Sequence, residues 1–222
     1  GAAYAAGSWA DKAVLWALRG SAAPGTAFSL YPPYDLAFFY ANLSLIPGLV
    51  FFTLATETDF HLDLMRFLVF LSRRRQPEVE AARLRLARNA RSSLGAQFAF
   101  QAGVALLVLI LAAPLARLVG VETGSFALLT AAGVFQLMLL AALNMLFYME
   151  LYRDSAWVGA AFLLLNLGLS LASGLGAPLP EGLAFLLACA LASAFALVLV
   201  QRGLGRLDRI IYLRASGEEF GH

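Results

Sequence analysis

One cysteine, Cys189, set inside an apolar run, and two histidines, His61 and His222, are all the thiol and imidazole that 222 residues contain. An internal disulfide and a thiolate metal cluster are thereby excluded, and a zinc site of His and Cys ligands has too few of either. Charge is also scarce. Asp, Glu, Lys and Arg make up 14% of the chain against 61% hydrophobic residues, where soluble domains run near 25% and 45–50%. Catalytic signatures are missing: there is no GxxxxGK[ST] loop, no HExxH, no GxSxG and no grouping of carboxylates with histidine. GLGRLD at 203–208 follows an apolar span, not a strand, so it lacks the setting of a phosphate loop. Nothing points to an enzyme, a metal or a cofactor. The net charge of +2 comes from clustered cations, and a nucleic-acid partner is not indicated. No Met precedes Met65, and Gly1 opens directly into small apolar residues with no basic segment, so the chain reads as a piece of a longer protein.

What remains is long apolar runs and one charged interval, the mark of an all-α integral membrane protein. The interval, residues 57–93, holds Glu57, Asp59, Asp63, Arg66, Arg73, Arg74, Arg75, Glu78, Glu80, Arg83, Arg85, Arg88 and Arg91. An Arg or Asp at mid-depth of a bilayer costs about 2.5–3.5 kcal/mol even on the lenient insertion scale, so this stretch lies in water or among headgroups. Its arginine excess assigns it to the cytoplasmic side.

Six spans are expected around it: about 1–18, 36–56, 97–119, 125–149, 156–176 and 182–201. Residues 1–18 give a helix of about 27 Å at 1.5 Å per residue, just short of the ~30 Å hydrocarbon core, with Trp16 and Arg19 at its far end. Residues 19–35, with Pro24, Gly25, Pro32 and Pro33, form an outer loop whose Tyr31 and Tyr34 suit a headgroup belt. Pro47 and Gly48 predict a kink in the second span. After it, Phe60, Leu64, Phe67 and Leu71 recur at helical spacing. Past Pro77, Val79, Ala82, Leu86, Ala90 and Leu94 take one side of a helix while Arg85, Arg88 and Arg91 take the other. Such a helix lies along the membrane surface or against a partner, and its arginines bind anionic headgroups, bind an acidic surface, or merely set topology. The later connectors alternate in cation content, with Arg153 and the tail 203–222 on the basic side. Both ends of the segment are therefore expected in the cytoplasm. Small residues at Ala156, Gly159 and Ala160, and at Gly168, Ala172 and Gly176, predict close helix packing.

Polar groups inside the spans need partners. Asn42, Gln97, Gln101, Gln136, Asn144, Tyr148 and Asn166 either bridge helices or line a lumen, and Asn144 and Tyr148 share a face. Trp9, Trp16, Tyr31, Tyr34 and Tyr40 either form interfacial belts or stack on sugar rings. Asp11 and Lys12 are the costliest residues to place. Lys12 shares a face with Trp9 and Trp16, so it snorkels outward or rests on an indole; alternatively both residues face the bundle interior, with Asp35 as partner for Lys12.

WADKAVLW (Trp9 to Trp16), YDLAFFYANLSLIPGLVFFTLATETDF (Tyr34 to Phe60), LNMLFY (Leu143 to Tyr148) and the closing helix with its basic tail resemble the PelG family, membrane transporters of Pel exopolysaccharide. The resemblance implies the multidrug/oligosaccharidyl-lipid/polysaccharide exporter superfamily, a MATE-like fold of two bundles of about six helices facing a cavity. This chain would be the C-terminal bundle. It also implies a polymer substrate crossing the bacterial inner membrane and, as partners, PelD, PelE and the glycosyltransferase PelF. The candidate path residues are then Asp11, Lys12, Asp35, Asn42, Asn144 and Tyr148. A drug or lipid-linked-sugar antiporter and a non-transporting scaffold for a glycosyltransferase are the rival readings.

Overall fold

The computed structural model describes residues 1–22, 25, 29–71, 76–176 and 179–206. Arg73, Arg74 and Arg75, the tail beyond Arg206, Pro24, Pro178 and His222 lie outside them. Helices α1 (Ala2–Gly7) and α2 (Ala10–Arg19) lead into a two-stranded antiparallel hairpin, β1 (Ser21–Ala22) with β2 (Ser29–Leu30). One interrupted rod follows: α3 (Pro32–Leu43), α4 (Ile46–Phe51), a π-helical turn (Phe52–Glu57) and α5 (Thr58–Leu71). Then come α6 (Gln76–Ile110), α7 (Ala112–Val119), α8 (Thr123–Tyr148), α9 (Tyr152–Gly174) and α10 (Leu183–Gly205).

Five helical stretches, 32–69, 78–110, 123–148, 152–174 and 183–205, are long and apolar enough to cross a bilayer. The fold is an all-α membrane bundle. Its axis is α8, which packs on α10, α6 and α3, and 67% of whose apolar window is buried, against 22–50% in the other four. Those four each turn one apolar face outward. Leu54, Ile110, Leu164 and Leu191 are all more than half exposed, a pattern that suits hydrocarbon and would be costly in water.

The expected first span is not one continuous helix. It is broken at Ser8 and Trp9, where the Ser8 hydroxyl bonds the Ala5 carbonyl at 2.8 Å, a local bond that competes with the helical ladder. The kink expected at Pro47 and Gly48 falls at Ser44 and Leu45, because proline is accommodated in the first turn of α4 and the break is displaced just ahead of it. The basic helix and the third span, expected as separate elements, are a single helix of 35 residues. At 1.5 Å per residue α6 is about 52 Å long and overruns the ~30 Å hydrocarbon core by ~20 Å.

The overrun continues the span without a break, so the basic stretch is not a separate helix. The face predicted to seek lipid is taken by α5: Phe60, Leu64 and Phe67 on one helix and Leu86, Ala90 and Leu94 on the other are all buried in the shared core. The small-residue reading divides. A Cβ on Gly159 would sit 3.3 Å from Ala3, so α1 does pack tightly on α9 there. Gly168, Ala172 and Gly176 are exposed, and nothing lies within 4 Å of a Cβ built on either glycine.

Candidate functional site

Two interrupted helices bring backbone carbonyls into the bundle, and polar side chains from neighbouring helices meet both. At the first break, between α1 and α2, the Gly7 carbonyl accepts from Asn166 Nδ2 of α9 at 2.7 Å. Asn166 Nδ2 also lies 3.4 Å from Asp11 Oδ1, and Ser170, one turn on, donates to Asn166 Oδ1 at 3.3 Å. The other oxygen of Asp11 accepts the Tyr34 hydroxyl, from the first turn of α3. Asp11 is 2% exposed, so its carboxylate sits in a fully enclosed pocket of donors.

Lys12 is 8% exposed and points differently. Its Nζ lies 3.4 Å from the centre of the Phe38 ring and 4.2 Å from that of Trp9. Two desolvated cation–π contacts at about 2 kcal/mol each are comparable to the cost of about 2.5–3.5 kcal/mol for a charge at the centre of a membrane helix. Lys12 thus rests on aromatic rings, Phe38 nearer than the Trp9 indole, yet it is buried and does not reach outward. Asp35 is engaged elsewhere: Trp16 Nε1 donates to both its oxygens at 3.0 Å, and the Tyr31 backbone N–H reaches Oδ2 at 3.0 Å. No Lys12–Asp35 ion pair forms, because Asp35 caps the entry of α3 and ties it to α2.

Beside this centre the connection from α2 to α3 is locked to the connection from α9 to α10. Arg19 pairs with Glu181 at 2.9 Å and the Tyr31 hydroxyl donates to the same Glu181 oxygen at 2.8 Å. That bond to a carboxylate raises the Tyr31 phenol above its usual range. Tyr34 departs from the headgroup belt expected for it. It is 1% exposed and its hydroxyl serves Asp11.

The second break carries no charge. Gln101 Nε2 donates to the Ser44 carbonyl at 3.2 Å, and Gln97 Nε2 to the Gly48 carbonyl at 3.1 Å, while Thr56 donates to Gln97 Oε1 at 3.3 Å. Both glutamines are wholly buried. Gln101 meets a Ser44 carbonyl that the proline-started helix leaves without its helical donor, while Gln97 adds a second bond to the Gly48 carbonyl, which also accepts from the Phe52 N–H. Gly48 leaves room for this approach, since a Cβ there would lie 1.9 Å from Gln101 Oε1 and 2.6 Å from a Leu137 methyl, and both side-chain ends would have to shift.

The six candidate path residues therefore do not form one cluster. Asp11, Lys12 and Asp35 gather around α2 and the start of α3. Asn42 bonds the Phe38 carbonyl of its own helix at 2.9 Å. Asn144 is half-buried, with no hydrogen-bond partner among the described residues. Tyr148, near the far end of α8, donates to Glu57 at 2.8 Å beside the His61 ring. Asp35 and Glu57 are 22 positions apart on the rod, on the order of 30 Å, so the two groups lie at opposite ends of the bundle.

The three arginines divide as well. Arg85 borders a concavity of about 460 Å³ facing α5, with Asp63, Arg66 and Asn89. Arg88 and Arg91 border another of about 290 Å³ with Arg83 and Gln201, next to the end of α10. Tyr34, Ser170 and Glu181 were missed as site residues in the sequence. The available signal was the i, i+4 spacing of Asn166 and Ser170 on an otherwise apolar helix; nothing local marks Glu181.

Searches of curated proteins and of solved structures found no match to this chain. The family model PelG, described as "Putative exopolysaccharide Exporter (EPS-E)", matches residues 1–212. This is a family of exporters rather than of enzymes, and the chain, a multi-pass membrane protein, belongs to it.

Proposed function

We propose that this chain is the C-terminal bundle of a bacterial inner-membrane exporter that passes a Pel-type exopolysaccharide outward, with residues 57–93 and the tail 203–222 in the cytoplasm. The observation that carries the reading is the family match over residues 1–212. Local geometry supports it: an interrupted helix that holds an enclosed carboxylate and an ammonium is the kind of arrangement that membrane proteins keep only where transport needs it.

Asp11 and Lys12 form the outer polar element of the path, with Asp35 fixing the helices that carry them. Asn42, Asn144 and Tyr148 offer amide and phenol groups toward the cytoplasmic end. The α5–α6 hairpin, standing ~20 Å beyond the hydrocarbon, is the surface to which PelD, PelE and the glycosyltransferase PelF dock, with Arg85 and its neighbouring concavity receiving an acidic segment.

Secreted polymer, measured in cells carrying single variants at equal protein level, tests the path. Asp11→Asn and Asn144→Leu are each expected to lower secretion, Asp11→Asn by at least tenfold. Normal secretion in both would remove these groups from the path. The orientation has its own test, since Cys189 is buried and silent. Ala81→Cys in intact cells is expected to resist a membrane-impermeant thiol reagent added from outside, and labelling would invert the topology.

A further inference from the structure

A second feature of the bundle has no place in a polymer path. Between α6, α8 and α10 runs an apolar groove of about 500 Å³, floored by Leu94, Phe98, Phe135, Met138 and Leu197. Arg91 and Gln201 border both this groove and the basic concavity that holds Arg83 and Arg88, so the two adjoin, with cations at one end and an apolar floor running from it. Helices α6 and α10 run in opposite directions, which puts Arg91 and Gln201 at the same end, next to the charged interval, with Phe98 and Ala190 deeper in. From Leu204 to Ala190 the groove follows 14 residues of α10, about 21 Å of rise, comparable to the ~15 Å depth of one leaflet.

We propose that this groove binds one anionic phospholipid of the adjacent leaflet, its phosphate held by Arg88 and Arg91 and one acyl chain laid along the floor.

Three observations select this occupant. Arg88 and Arg91 are exposed and carry no ion pair or hydrogen bond among the described residues, whereas Arg83 is already committed to Glu80 and to the Gly205 carbonyl at 2.9 Å. Two guanidinium groups one turn apart suit the oxygens of a phosphate. The floor offers a ligand hydrocarbon and little else, since Ser193 spends its hydroxyl on the Ala190 carbonyl of its own helix. The groove is elongated, following about 21 Å of α10, which suits an extended acyl chain. Gly95 contributes the room: it is exposed to the groove, and a Cβ there would meet nothing within 4 Å. The inference does not rest on the export reading.

The test is native mass spectrometry of the purified full-length protein, titrated with phosphatidylglycerol and with phosphatidylcholine of the same acyl chains. One tightly held phosphatidylglycerol is expected, with at least tenfold weaker phosphatidylcholine binding. The double variant Arg88→Gln, Arg91→Gln is expected to erase the difference between the lipids, and Gly95→Leu to weaken both, with thermal unfolding in detergent unchanged. As a measurement that does not depend on a disabling variant, Phe98→Trp is expected to add fluorescence quenched by brominated phosphatidylglycerol and not by brominated phosphatidylcholine. Equal binding of the two lipids, retention of the preference in the double variant, or cross-linking of Phe98→Cys to another polypeptide segment would overturn the proposal.

Discussion

The two interrupted helices solve the same problem with different chemistry. At Ser44 and Leu45 the freed Ser44 carbonyl is met by Gln101, Gln97 adds a bond to the Gly48 carbonyl, and the site stays neutral. At Ser8 and Trp9 the freed Gly7 carbonyl is met by one asparagine, and the chain then adds an enclosed carboxylate and a nearly enclosed ammonium that no carbonyl requires. Neutral amides suffice to repair the second break. The charges at the first go beyond what its freed carbonyl needs, and the proposal for Asp11 and Lys12 rests on that excess.

The comparison is broken most severely at Gly48. If the second break is a packed seam, Gly48→Val, whose Cβ would begin 1.9 Å from Gln101 Oε1, must push α4 and α6 apart. Overpacking of this kind costs about 1–3 kcal/mol and sometimes more. The expected result is at least a tenfold loss of folded protein in the membrane fraction. Normal accumulation would mean that the seam is loose and that the gap there can open.

The next test sets the breaks against each other at equal protein level. Asp11→Asn keeps an oxygen to accept from Tyr34 and removes the charge together with the weak 3.4 Å bond from Asn166; polymer export is expected to fall at least tenfold, with a stability change near the ~0.6 kcal/mol of one interhelical bond. Gln97→Leu removes two interhelical bonds at ~0.6 kcal/mol each, so about 1 kcal/mol of stability should go while export continues. The reverse outcome would assign function to the neutral break.

Lys12 sharpens the contrast within the first break. Its two ring contacts return about 2 kcal/mol each against a burial cost of about 2.5–3.5 kcal/mol, so the terms nearly cancel and Lys12→Met is expected to unfold at a nearly unchanged temperature while exporting less polymer. Exchange of the charges in a Lys12→Asp, Asp35→Lys double variant should not restore export, since Asp35 serves Trp16 and Tyr31. Recovery would show that the two residues meet in a state other than this one.

How much of this could be read from the chain depends on the range of the cause. Hydrophobic runs and arginine clustering are local, and they give the membrane bundle and the charged hairpin directly. Pro47 announces its break, and Asp11 and Lys12 announce their cost. The partners are set by tertiary packing. Tyr34 lies 23 positions from Asp11, and Asn166 lies 159 from Gly7. A tyrosine beside two prolines at a loop end has the composition of a headgroup belt, and only the fold turns its hydroxyl inward. The arginines divide for a related reason: Arg85, Arg88 and Arg91 share the polar side of α6, but α5 lies along one flank of that side and α10 along the other.

The smallest effect concerns the helix at the axis of the bundle. Helix α8 is capped by Glu122, whose carboxylate accepts from the backbone N–H of Gly124 at 2.9 Å and of Ser125. The Ser125 hydroxyl foremost, and then these backbone bonds, hold the carboxyl below its ordinary value. A carboxylate lowered in the folded state stabilises fully above the unfolded value, near 4.3, and its contribution is lost as pH falls through the folded value. Glu122→Ala should therefore cost about 1 kcal/mol at neutral pH, and the gap to the unsubstituted protein should narrow as the pH is lowered past 4. Glu122→Gln keeps an acceptor oxygen and loses only the interaction of charge with the helix dipole, about 0.3–1 kcal/mol. Unfolding of the three proteins in detergent across that pH range separates the two contributions. A gap that stays constant with pH would show that the cap works through shape alone.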